Sequence, residues 1–125
     1  MSSRETSKLW DEYPQEWKDI ENKKIPKKEI NEYLLKFVAR LLKEVKEGKR
    51  EDIDLGDGFS IGIMHAAAYK LNPEVYGFLF RLDDYGMQDF MGHGDSEYGE
   101  MLETPEEVER ELKRVAKKLG IKLDL

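Results

Sequence analysis

Residues 59–82 read FSIGIMHAAAYKLNPEVYGFLFRL, and the conformation of this stretch decides the fold class of the chain. From Phe59 to Leu71 the odd-numbered positions are mostly large and apolar, whereas the even-numbered positions are mostly small. A period of two is typical of a β-strand with one buried face. The Asn-Pro-Glu sequence at 72–74 favours a type I turn. We therefore predict a β-hairpin whose second strand ends at Asp83.

The register of this hairpin follows from its side chains. A two-residue loop pairs Tyr69 with Phe78 and His65 with Leu82, which collects the aromatic and large aliphatic side chains on one face. A slip of one residue would divide that set between the two faces. The three alanines at 66–68 favour a helix instead, because alanine has the highest helix propensity. The opposite face carries small side chains that permit close approach of residues 10–17 or of a ligand.

Helical patterns flank the stretch on both sides. Residues 27–47 place apolar side chains at i, i+3, i+4 and i+7, which predicts a helix that glycine ends at Gly48. Residues 105–119 repeat this pattern after Thr104, a residue type that caps helix N-termini. A short helix is predicted to begin near Pro14.

The predicted fold class is therefore α+β, with amphipathic helices packed on a small antiparallel sheet of three to four strands. The order is α-α-β-β-β-α-β, in which residues 87–91 form the third strand and residues 121–125 the terminal strand. We expect one domain over residues 9–125 and a mobile tail over residues 1–8. No apolar run predicts a signal peptide or a membrane span, and the lack of cysteine favours the cytoplasm.

The middle of the chain is strongly acidic. Residues 51–103 contain twelve Asp and Glu against only Lys70 and Arg81, although the whole chain has a net charge of −6. This distribution disfavours nucleic acid as a direct partner of the middle and favours a basic protein surface. The first functional hypothesis is a small acidic cytoplasmic binding protein of the inhibitor type, without catalysis or cofactor. Its candidate binding residues are Arg81, Asp83, Asp84, Asp89, Glu97 and Glu100.

The glycine-rich loop Gly92–Glu100 supports a second hypothesis, a small enzyme or a metal-dependent ligand binder. His93 and Asp95 are its candidate catalytic residues, and His65 joins them if the fold brings both histidines together. Asp95 and Glu97 are the candidate ligands for a hard cation. A third hypothesis is an engineered or stabilised scaffold, because the helix caps are favourable and the helix surfaces balance Glu with Lys.

Overall fold

The protein is helical. A computed structural model describes residues 15–51, 53, 57–82, 95–96, 99–100, 102 and 104–124. Its α-helices are α1 (Gln15–Glu21), α2 (Ile30–Lys46), α3 (Asp57–Ala67), α4 (Pro73–Leu82) and α5 (Pro105–Leu119), and the 3-10 turn Lys27–Glu29 precedes α2. Within the described ranges, the strand pairing is confined to β1 (Asp95–Ser96) and β2 (Gly99–Glu100), two residues each. The prediction of an α+β fold built on a three- to four-stranded sheet is therefore wrong.

The predicted hairpin is replaced by α3 and α4. In α4 the buried residues Val75, Phe78 and Leu79 recur at i, i+3 and i+4, which is a helical stripe. In α3 the buried residues Ile63 and Ala66 follow the same spacing. Apolar side chains also occupy positions between these, so that a period of two was satisfied by chance. The alanines at the end of α3 indicated the correct structure.

The turn predicted at 72–74 is instead the start of a helix. The Glu74 N–H donates a hydrogen bond of 2.9 Å to Asn72 Oδ1, so Asn72 caps the N-terminus of α4 and Pro73 occupies the first helical position. The Asn72 N–H donates in turn to Asn31 Oδ1 of α2 at 2.9 Å. The sequence Asn-Pro-Glu suits a turn and a helix start equally. In the structure it starts a helix, and the hydrogen bond from Asn72 to α2 is present in that conformation.

The predicted flanking helices are confirmed. Gly48 follows α2 with a φ of +76°, a conformation in which glycine avoids the strain of a Cβ atom. Thr104 Oγ1 accepts a hydrogen bond of 3.2 Å from the Glu107 N–H and so caps α5. The predicted terminal strand is wrong, because residues 121–124 have no regular secondary structure.

The core forms around α2, which packs against α5, while α1 packs against α3. Trp17 of α1 is fully buried, with its ring in edge contact with Phe37 at a centroid distance of 5.5 Å. The absence of a side chain at Gly62 makes room for this indole, because a Cβ atom there would lie 2.4 Å from Trp17 Cδ2. The prediction placed residues 10–17 on the small-residue face of a hairpin; Trp17 does contact Gly62, but the contact joins two helices, and residues 10–14 lie outside the described residues.

Candidate binding site

The net charge of the chain lies on the residues between α4 and α5. Residues 83–101, named here the acidic segment, contain six of the 27 Asp and Glu and none of the 21 Lys and Arg. The remainder of the chain therefore holds 21 acidic and 21 basic residues and has no net charge. The six acids are the ones singled out from the sequence: Asp83, Asp84, Asp89, Asp95, Glu97 and Glu100.

The two ends of the acidic segment are held together. The Leu102 N–H donates a hydrogen bond of 2.9 Å to the Arg81 carbonyl oxygen at the end of α4. The Leu102 side chain is 6% exposed and belongs to the hydrophobic core. The chain therefore leaves the helical scaffold and rejoins it at the same place.

Arg81, a predicted binding residue, lies at this base. Its guanidinium Nη1 is 3.1 Å from Glu111 Oε2 of α5, and both side chains are less than 20% exposed. Burial raises the pKa of Glu111, but hydrogen bonds and charges from Arg114 and Arg81 outweigh burial and hold that pKa below its ordinary value. The ion pair thus joins α4 to α5 where the acidic segment begins.

Part of the acidic segment has a described backbone. Asp95 is paired with Glu100 in the antiparallel register of β1 and β2, and β1 lies beside α4. The candidates Asp83, Asp84, Asp89, His93 and Glu97 lie outside the described residues. Their roles as binding, catalytic or metal-ligating residues stay predictions.

The candidate His65 lies on α3, where it contacts α1. Its Nδ1 atom is 2.5 Å from Glu21 Oε2, and about a third of the side chain is exposed. One turn further on, the Tyr69 hydroxyl donates a hydrogen bond of 2.7 Å to the Ile20 carbonyl oxygen. His65 therefore helps to join two helices. Among the residues that the structure describes, no group of three or more His, Cys, Asp or Glu is placed to hold a metal ion.

Acidic groups of the scaffold lie close to cations. Glu74 at the start of α4 is 2.6 Å from Lys118 Nζ and 3.4 Å from Arg114 Nη1, both on α5. The hydrogen bond from Lys118 holds the pKa of Glu74 below its ordinary value. A hydrogen bond from Lys46 of α2 does the same for the pKa of Glu109 of α5. These pairs compensate two of the acidic side chains of the described helices.

A basic groove escaped the sequence analysis. It has a volume of about 570 Å³ and lies between α2 and residues 121–124. Its charged lining residues are Lys36, Arg40, Lys43, Lys122 and Asp124. One sequence feature could have indicated this groove, namely the excess of basic residues in 27–50. Three of these cations recur at i, i+4 and i+7 on α2. The contribution of residues 121–124 was hidden, because they were assigned to a strand.

Known proteins provide no relative for comparison. No protein-family model, curated protein or solved structure matches this chain. In the described part of the chain, every helix is too short or too polar to cross a membrane. The function is therefore argued from charge and geometry.

Proposed function

We propose that this chain is a cytoplasmic binding protein of the inhibitor type, whose acidic segment contacts a basic surface of a partner protein. The observation that carries the proposal is the concentration of the whole net charge in residues 83–101. The rest of the chain, taken together, carries no net charge. A basic partner is therefore attracted to one part of the molecule and not to its surface in general.

The physics of encounter supports this proposal. At physiological salt the Debye length is about 8 Å, so that an exposed charge acts mainly on groups within that distance. The six acids lie in a segment of 19 residues that contains no Lys or Arg, so this segment carries charge of one sign. Concentrated charge of one sign accelerates association with an oppositely charged surface, and salt weakens the effect.

The closed base of the segment supports binding in a second way. The hydrogen bond between Leu102 and Arg81 and the buried Leu102 side chain hold the two ends at one place. A segment with joined ends has fewer conformations than a free tail of equal length. Joining the ends therefore lowers the conformational entropy that binding of a partner can cost.

The test uses a lysine homopolymer of about 20 residues as the probe and stopped-flow measurement of its association rate. One variant neutralises three acids of the segment, Asp83→Asn, Asp84→Asn and Asp89→Asn. The matched control neutralises three exposed scaffold acids and changes the net charge equally: Glu29→Gln, Glu51→Gln and Glu106→Gln.

We expect the association rate at low salt to fall roughly tenfold in the segment variant and less than about twofold in the control. Raising the salt concentration from about 20 to about 200 mM is expected to lower the association rate of the unmodified protein. The rates of the three proteins should then become similar. Equal losses in both variants, or a rate that does not respond to salt, would show that the acidic segment is not the contact surface.

A further inference from the structure

The basic groove is built by the end of α5. Gly120 has a φ of +71°, and the Ile121 N–H donates to the Ala116 carbonyl oxygen at 2.8 Å. This six-residue closure is a Schellman motif, which reverses the chain at a helix end. Residues 121–124 then run beside α2 and form one wall of the groove, while α2 forms the other.

Both walls carry cations. Lys36, Arg40 and Lys43 follow one another along the exposed side of α2 over about 10 Å, given a rise of 1.5 Å per residue. Lys122 belongs to the opposite wall. One acid, Asp124, is among the residues that line the groove, so the lining has an excess of positive charge.

The three lysines among these cations are available to a ligand. Among the described residues, the exposed Lys43 and Lys122 have no ion-pair partner. Lys36 lies 3.0 Å from Glu32, and the pair is about half exposed. Exposed pairs of this kind contribute less than about 1 kcal/mol, so an incoming anion can replace the glutamate. Arg40 is held more firmly, by Glu16 and Glu44.

The apolar residues that line the groove are Ala39 of α2 and Leu123 of the opposite wall. An extended peptide places side chains i and i+2 about 6.6 Å apart on one face and side chain i+1 on the other. Two carboxylates at i and i+2 can therefore face the cations along α2, while the side chain between them lies on the opposite face of the peptide. Single-stranded nucleic acid binds by stacking on aromatic rings, and no aromatic residue is among the described residues that line this groove.

We infer that the groove between α2 and residues 121–124 binds a short, extended acidic peptide segment of a partner protein, in which Asp or Glu recurs at every second position. The residues that line this groove are not those of the acidic segment, their net charge has the opposite sign, and the inference does not depend on the function proposed above. It makes the chain a protein with two contact surfaces of opposite sign.

The experiment measures fluorescence anisotropy with the labelled probe peptide Glu-Leu-Glu-Leu-Glu and the full chain at about 20 mM salt. The groove variant is Lys43→Gln with Lys122→Gln. The control variant, Lys28→Gln with Lys117→Gln, changes two exposed lysines that do not line the groove. Thermal unfolding of each variant verifies that the fold is retained.

We expect the groove variant to bind the probe about 5- to 30-fold more weakly than the unmodified chain, since each exposed charge pair contributes about fivefold at most. The affinity of the control variant is expected to lie within about twofold of that of the unmodified chain. The peptide Gln-Leu-Gln-Leu-Gln is expected to bind the unmodified chain more weakly, with a loss similar to that of the groove variant. Equal affinity of the groove variant and the unmodified chain overturns the inference.

Two further outcomes assign the groove to another occupant and also overturn the inference. The first is tighter binding of a ten-nucleotide thymidine oligomer than of the probe peptide, which makes the ligand a nucleic acid. The second is a gain of probe affinity in the variant Asp11→Asn with Glu12→Gln, which makes the chain's own N-terminal acids the occupant.

Discussion

Replacing Gly62 by alanine tests the central helix contact of the fold. The added Cβ atom would lie 2.4 Å from Trp17 Cδ2 and 2.5 Å from Cε2, far inside van der Waals contact. Trp17 has no exposed surface and packs against Phe37, so the indole cannot move aside into solvent. Overpacking of a core costs about 1–3 kcal/mol, and this contact belongs at the upper end. The higher helix propensity of alanine stabilises the folded state by about 1 kcal/mol and offsets part of this cost.

The net expectation for Gly62→Ala is a loss of about 2 kcal/mol in the free energy of unfolding, which corresponds to a fall in Tm of roughly 8 °C for a chain of this size. Urea denaturation followed by far-UV circular dichroism measures it. In a double-mutant cycle, Trp17→Leu removes the indole, so the double variant should lose at least about 1 kcal/mol less than the sum of the single losses. Unchanged or increased stability of Gly62→Ala would refute the reasoning, because helix propensity alone would then decide.

Three other changes test single contacts. Tyr69→Phe removes the hydrogen bond to the Ile20 carbonyl oxygen and should lower the free energy of unfolding by about 1 kcal/mol in urea; no change contradicts the contact. Thr104→Ala should cost about 1 kcal/mol because the cap of α5 is lost, whereas Thr104→Ser should retain it; equal losses contradict the cap. The folded-state pKa of Glu74 lies below its ordinary 4.5, so its stabilising contribution is present above pH 4.5 and is lost as the pH falls through the folded pKa. Denaturation at pH 7 and pH 3 should therefore show a smaller acid-induced loss for Glu74→Gln than for the unmodified chain, and equal losses contradict this.

The helices α2 and α5 were predictable because each decides its own structure locally. Each has a single apolar stripe, a polar remainder and a glycine at its C-terminal end, which leaves one consistent interpretation. The sequences of α3 and α4 permitted two interpretations, a pair of strands and a pair of helices. Their apolar side chains fit a period of two as well as a helix, and Asn72-Pro73 suits a turn as well as an N-cap.

Some features of the candidate site were likewise predictable from the sequence, whereas others depend on the fold. The acidic residues of 83–101 and their excess of charge are a property of composition, so the sequence alone identified them. That the ends of this segment meet depends on Leu102 and Arg81 becoming neighbours through the core. His65 was assigned to a strand face, and its contact with Glu21 arises only because α1 packs on α3. The basic groove needs α2 and residues 121–124 side by side, a proximity that follows from the turn at Gly120.

The amino-acid sequence by itself determined where the charge lies and where two helices begin and end. These features depend on the residue type and its near neighbours in the chain, through propensity, capping and charge. The tertiary structure decided whether residues 59–82 became strands or helices, because both choices satisfy the local preferences. As helices, these residues pack α3 against Trp17 and α4 against α5. A helix can be buried in this way because it satisfies its backbone hydrogen bonds internally.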